Sequence, residues 1–350
     1  MYRLIMRVGL MALGGLVAAL FSMSSSAFAA CDELLPNLRP LPASDIQLVL
    51  DAQGQPLALR FGATNWNSGK GRLELVAKSA NASTLKQQVD QRIYNTCGGF
   101  QDVKAGDFTW HPTHNHFHFE GFANYFLAPL GNPNQGRNGS KTSFCIMDTS
   151  SINSQIWGAS GQTYSTCGNL TQGMSIGWGD TYGSHLDGQS IDATELLPGD
   201  YALEINVDPF NRIDETDEED NWSCVLLRFT GTPYATSFNI LKRRSGRCSD
   251  PESSPSIASI DPYEAQSGQT MTVKITGTGF DPIMSVSFLN GTLIPSVSNV
   301  LYLGPTSLEA TVKVGGRKRL KDPVVDLNMG SPFSYTGNTT LTDAFTITPR

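Results

Sequence analysis

The sequence predicts a mainly β protein built as two β-sandwiches, the first with long loops, and three observations carry that prediction. Helical periodicity is nearly absent. Short runs of β-branched and aromatic residues recur instead, each bounded by turn signals. Finally, 34 Gly and 19 Pro are spread along 350 residues of which only 16% are charged. That composition argues against a helical bundle and against a disordered polyampholyte. At roughly 150 residues per domain the length suits two domains, with room for a third.

Residues 1–29 read as a signal peptide. Arg3 and Arg7 give the basic start, residues 8–21 the apolar stretch, and Ala27-Phe28-Ala29 the small-x-small cleavage pattern. Cleavage there removes two arginines and no acid, taking the formal charge from −7 to −9. Acylation of Cys31 after cleavage is the alternative, and Phe28 stands where such signals usually carry Leu. No later stretch approaches the roughly 18 apolar residues that span a bilayer. A secreted protein, extracellular or periplasmic, is expected.

Strands are expected at 46–50, 57–61, 73–76, 122–127, 201–207 and 225–229. Turns at Asp51-Ala-Gln-Gly54, Leu197-Pro-Gly-Asp200 and Thr230-Gly-Thr-Pro233 separate them. Residues 249–256 have linker composition, which sets domains at 30–250 and 251–350. No basic run exceeds Lys242-Arg243-Arg244, so nucleic acid is a poor partner. An acidic surface suits cations instead.

Beyond the linker, Ile257-Ala-Ser-Ile-Asp-Pro262, Val273-Lys-Ile-Thr-Gly-Thr-Gly-Phe280 and Asp343-Ala-Phe-Thr-Ile-Thr-Pro349 resemble the immunoglobulin-like IPT/TIG domains. The resemblance implies a spacer or adhesive sandwich without catalytic residues.

Six cysteines, Cys31, Cys97, Cys145, Cys167, Cys224 and Cys248, suit three disulfides in an oxidising compartment, with no CxxC pair to suggest a thiolate metal site. Sequence permits 15 connectivities. Pairing neighbours, Cys145–Cys167 and Cys224–Cys248, is the simplest and leaves Cys31–Cys97.

Four of the five histidines lie within eight residues, in Trp110-His111-Pro112-Thr113-His114-Asn115-His116-Phe117-His118. On a strand, residues i, i+2 and i+4 share a face, so His114, His116 and His118 would point the same way while Asn115, Phe117 and Phe119 point to the other face. A lone histidine is usually satisfied within a core. Three on one face form a site for a borderline metal, and spacing alone does not choose copper over zinc or nickel.

The same nine residues are similar to the copper-binding motif of the lysyl oxidases, and further matches follow in order. Lys141-Thr-Ser-Phe-Cys-Ile-Met-Asp-Thr149 resembles the family's K-A-S-F-C-L-E-D-T, and Thr171-Gln-Gly-Met-Ser-Ile-Gly-Trp-Gly-Asp-Thr-Tyr182 its T-Q-G-L-S-x-G-x-x-D-T-Y. Asp187 to Thr194, Pro198 to Tyr201 and Glu215 to Asn221 complete a resemblance over roughly residues 35–248. It implies copper on His114, His116 and His118, with His111 nearby but not a ligand. It also implies a lysyl tyrosylquinone cross-link between Lys141 and Tyr182. Asp180 is the candidate catalytic base, with Asp187 and Asp192 as alternatives. Residues alone would have made Lys141 a surface lysine and Tyr182 a core aromatic. Animal members carry cysteines where Thr113, Ser150 or Ser151, and Gly188 stand here. The two neighbour disulfides match family pairs, and Cys31–Cys97 rests on elimination.

Residues 214–221 hold six carboxylates and one carboxamide, ordinarily a solvated acidic loop. The resemblance implies a structural calcium site here, from Glu215, Asp217, Asp220 and Asn221 with Asn37 and Leu38, Asn37 standing where the family has Asp.

The activity implied is oxidative deamination of primary amines, peptidyl lysine or small amines, with O2 as acceptor, giving an aldehyde, ammonia and H2O2. The partners are that amine and O2. One rival is a copper-binding adhesion protein that kept the fold and lost turnover, although such a protein needs neither Lys141 nor Tyr182. The other is a zinc hydrolase, for which Glu120 is near but no H-E-x-x-H pattern exists.

Overall fold

A computed structural model describes residues 31–78, 85–251, 253–316, 324–331 and 337–349. The signal segment expected over 1–29 lies outside them. The protein is mainly β, and the segments read as strands fall in Ser44–Leu50, Pro56–Asn67, Leu73–Ala77, Ala123–Pro129, Gly199–Val207 and Trp222–Thr230, with only Phe122 of the expected residues left just outside. Among the described residues the helical element is a single 3-10 turn, Pro133–Gln135, and no helix is long and apolar enough to cross a membrane.

Alternation explains the central strands. Tyr201, Leu203, Ile205 and Val207 are buried on one face of Gly199–Val207, and Val225, Leu227 and Phe229 on its neighbour. Two long strands, Lys86–Asn95 and Phe100–His111, were not legible as such. The inward face of the first mixes Gln87 and Gln91 with Val89 and Ile93, all buried, so hydrophobicity alone does not alternate. Gln91 is satisfied there by the backbone of Asp214, which it both donates to at 2.9 Å and accepts from at 2.7 Å.

Three sheets enclose the first core. The seven-stranded sheet carries Ser143–Phe144, His116–Glu120, Phe100–His111 and Lys86–Asn95 side by side. The five-stranded sheet is centred on Gly199–Val207, and the third is organised around Pro56–Asn67, which pairs with Trp178–Tyr182. Phe61, Phe108, Phe117, Phe119, Tyr125 and Phe144 fill the space between them. Two disulfides, Cys145–Cys167 and Cys224–Cys248, cross the loops. No cysteine is free.

The N-terminal segment is pressed against the link between Pro56–Asn67 and Leu73–Ala77. A Cβ on Gly71 would meet the Leu34 carbonyl oxygen at 1.7 Å, a backbone atom that cannot swing aside. Gly71→Ala is expected to destabilise by about 1–3 kcal/mol, read as a lowered denaturation midpoint with unchanged slope.

Residues from Ser256 onward form two four-stranded sheets packed on a second core of Val273, Ile275, Phe288, Val312, Leu327 and Phe345. That core continues into Leu41, Trp66 and Ile156 of the preceding part. Arg39, 9% exposed, joins the two by pairing with Asp220 at 3.2 Å and with both carboxylate oxygens of Asp281 at 3.0 and 3.1 Å. Such a fork suits guanidinium geometry.

Candidate functional site

The histidine strand forms a hairpin with its predecessor, pairing Phe108 with Phe119, Trp110 with Phe117 and His111 with His116. Phe117 and Phe119 are fully buried in the core, which turns His116 and His118 to the opposite face. The strand begins at His116, so alternation does not account for His114. That residue sits in a tight turn instead, closed by His114 and Asn115 N–H groups donating to the His111 carbonyl at 3.2 and 2.9 Å, with Asn115 at φ +58°. Left-handed backbone of this kind is tolerated by Asn.

The turn folds His114 back over the strand. His118 Nε2 lies 3.0 Å from His116 Nε2 and 3.3 Å from His114 Nδ1. Two imidazole nitrogens bound to one ion at about 2.0–2.1 Å each lie roughly 2.9–3.4 Å apart, which covers both separations. His118 Nδ1 is 3.2 Å from Ser143 Oγ, an outer partner that engages this nitrogen while Nε2 faces the other two rings. His111 stacks on His114 and His118 at 4.2 and 4.5 Å, and its ring nitrogen joins theirs within 4.8 Å. Burial, then Lys141 and the other imidazoles, pushes His118 down to about 3. Burial and cationic neighbours also lower His111 and His116. Neutral rings are what a metal requires.

Lys141 precedes the edge strand that pairs with the histidine strand, and it is only 9% exposed. Its Nζ lies 5.0 Å from the Tyr182 ring centroid and 5.2 Å from that of Phe144. The Tyr182 ring meets Phe144 edge-on at 5.0 Å, and its hydroxyl donates to the Cys145 carbonyl at 2.8 Å. Burial lowers the Lys141 pKa against the opposing pull of Asp180 and Asp187. The balance is thereby moved toward the amine form relative to a free lysine.

Asp180, two residues before Tyr182 on the same strand, is 2% exposed, and its Oδ2 has no hydrogen-bond partner. Burial holds its carboxyl well above the usual range. A cavity of about 510 Å³ joins the three histidines to Lys141, Tyr182 and the Cys145–Cys167 bridge. Asp187 lines it too. Asp192 does not: its carboxylate is occupied by Thr194, whose N–H and hydroxyl donate at 2.8 and 2.7 Å. His185 also lines the cavity and was missed from sequence, although it is the one histidine outside the cluster and stands three residues past Tyr182.

The residues expected to bind calcium are together but differently satisfied. Asn37 donates its amide to Asp220 at 3.0 and 3.2 Å, and Arg39 pairs with the same carboxylate. Asn37 Oδ1 accepts from the Asp217 N–H at 2.8 Å, and Asp217 Oδ1 accepts from the Glu219 N–H. Leu38 N–H and Asn221 Nδ2 both donate to Glu215. Burial pushes Asp220 up to about 6 against the pull of Arg39.

A family model described as lysyl oxidase matches residues 76–239. Protein-lysine 6-oxidase of Homo sapiens is 35% identical over 123 residues, 35% of this chain and 28% of the relative. The Sus scrofa protein of that name is 34% identical over 123 residues, covering 47% of the relative. Lysyl oxidase homolog 4 of Mus musculus is 30% identical over 216 residues, 59% of this chain and 27% of the relative. The chain thus spans less than half the length of each. Among solved structures, a tip adhesin from Pseudomonas aeruginosa aligns with 90% of this chain and 100% of its own at TM-score 0.16 and 7% identity, a likeness too weak to bear on fold. The span matched by the lysyl oxidase family model contains every residue that lines the histidine–lysine–tyrosine cavity, and it is over that span that the chain is similar to the lysyl oxidases.

Proposed function

We propose that this protein is an exported, copper-dependent amine oxidase whose organic cofactor is made from its own Lys141 and Tyr182. The observation that carries the reading is the placement of Lys141 Nζ 5.0 Å from the Tyr182 ring, in one cavity with three convergent imidazoles. A buried lysine beside a tyrosine has no structural purpose that a leucine would not serve better. His114, His116 and His118 are the residues that would hold copper. Copper and the quinone formed from the two side chains would supply the two-electron oxidation of a primary amine to an aldehyde, with ammonia and H2O2 released and O2 consumed.

The chain's own residues do the rest. Ser143 orients His118. The Cys145 carbonyl and the Phe144 ring hold Tyr182 in its plane. Desolvation keeps the Lys141 amine nucleophilic, as addition to an electrophilic ring requires. Asp187, on the cavity wall, would meet an arriving ammonium group, and the buried Asp180, near enough to act electrostatically on Lys141 and Tyr182, would exchange protons with them.

The test is a visible spectrum of copper-loaded protein before and after phenylhydrazine, which traps quinones. An absorbance band that shifts on addition supports the oxidase. Full copper loading with no trappable carbonyl would favour a copper-binding protein without turnover.

A further inference from the structure

We infer that the C-terminal pair of sheets is a brace for the candidate catalytic cavity, acting through the loop that Cys145 and Cys167 close, with Gln155 as the positioning residue at the joint. The consequence for Tyr182 rests on the amine-oxidase reading, whereas the contacts do not. The first part of the loop is stitched to the strand that carries Tyr182. The Cys145 carbonyl accepts from the Tyr182 hydroxyl at 2.8 Å. Thr149 N–H donates to the Gly179 carbonyl at 2.9 Å, and Thr149 Oγ1 accepts from the Thr181 N–H at 2.6 Å. The Ile152 and Asn153 N–H groups both donate to the Gly177 carbonyl, at 2.9 and 3.1 Å. The loop's return leg is tied back to its start by the buried Asp148 carboxylate, which accepts from the Thr163 and Tyr164 N–H groups at 2.9 and 3.0 Å.

The tip of the loop leaves that strand and closes two sheet edges. Ser285–Leu289 and Ser296–Gly304 are each the outermost strand of one C-terminal sheet. Such strands present unpaired N–H and C=O groups. In the second, the register slips between Ser298 and Leu301, with Asn299 at φ +49°, and Val300 falls in the gap. Its N–H donates to the Gln155 carbonyl at 2.7 Å, and its carbonyl accepts from the Trp157 N–H at 2.8 Å. The Gln155 side chain pairs with the other edge in the same way, donating to the Val286 carbonyl at 3.1 Å and accepting from the Val286 N–H at 2.9 Å. Gln155 thus holds one sheet with its carbonyl and the other with its amide. Asn153 adds a donation to the Pro282 carbonyl at 2.8 Å, and Ile156, 5% exposed, is seated in the second core. A spacer tied on only by its linker needs none of these contacts. Fixing the tip removes conformational freedom from a loop that spans 22 residues, and with it the freedom of the carbonyl under the Tyr182 hydroxyl.

Hydrogen exchange of the full chain tests the brace without copper or amine. Gln155→Ala should speed exchange about tenfold at residues 153–157 and also across 145–152 and 178–182, since two hydrogen bonds are lost at one joint. Asn290→Ala removes a bond to Asp326 that no loop residue shares, and it should leave 145–152 and 178–182 unchanged. In copper-loaded protein, Gln155→Ala should slow formation of the phenylhydrazine-trappable quinone at least about fivefold, because misplacement far from the chemistry lowers rate. That comparison is made at equal copper content and below the melting transition, where lost global stability has no effect. Ile156→Val is a milder break at the same joint and keeps the test valid if Gln155→Ala misfolds. Faster exchange confined to 153–157, the same spread in Asn290→Ala, or quinone formation at the parent's rate would each overturn the brace. A parent chain that forms no quinone would count against the oxidase reading alone, and exchange would still decide the brace.

Discussion

Tyr182→Phe should lower amine-dependent H2O2 release by at least about 10³-fold, since residues that act as one chemical unit fail together. Copper content should not change, because Tyr182 reaches the Cys145 carbonyl and not an imidazole. Nor should the fold suffer much. The lost hydrogen bond is worth about 1 kcal/mol, and the ring keeps its edge contact with Phe144. Lys141→Ala should be as inactive. Mass spectrometry of a copper-loaded digest should find the Lys141 and Tyr182 peptides joined, and neither variant should yield that species. The pH dependence follows from the lowered Lys141 pKa. Amine is the reactive form, so cross-linking should proceed below the ordinary lysine value of 10.5 and slow as pH falls through the lowered one. Undiminished turnover by Tyr182→Phe would remove the quinone from the reading.

The second large effect is expected at His118, whose Nε2 lies within 3.3 Å of both neighbouring ring nitrogens. His118→Ala should weaken copper well beyond the roughly 10–100-fold that outer-sphere changes cost. His111→Ala should stay within that range if the ring only stacks on the ligands. Competition for copper against a chelator of known affinity reads both. Equal losses at His111 and His118 would make His111 a ligand, as the closeness of its ring nitrogen allows.

Much of this site was legible because its chemistry is local in sequence. Three histidines in five residues are conspicuous wherever they sit. The strand argument nevertheless explains only two of them, because periodicity cannot foresee that Asn115 bends the chain back and delivers His114 from a turn. Lys141 and Tyr182 carried no such signal. A lysine ordinarily stays in water, and what makes this one different is burial by residues from other strands. His185 escaped for the same reason, its neighbours in the cavity being distant in the chain. In the acidic loop the carboxylates read alike, and only the fold separates Asp220, which faces Arg39, from Glu215, which accepts from Leu38 and Asn221. Among the strands, Lys86–Asn95 was invisible because half its inward residues are glutamines.

The Cys145–Cys167 bridge ties the order of the candidate site to the redox state of two sulfurs. It spans 22 residues, borders the cavity, and anchors the carbonyl that positions Tyr182. In the chain-entropy account such a closure contributes on the order of 3 kcal/mol, all of it absent while the thiols are reduced. A newly made chain in a thiol-rich cytosol therefore carries the histidines, lysine and tyrosine without the clamp that aligns them. If the protein is the oxidase proposed above, oxidation of two sulfurs would complete the site only in a compartment where disulfides persist, and the cell's own amines would be spared its peroxide until then.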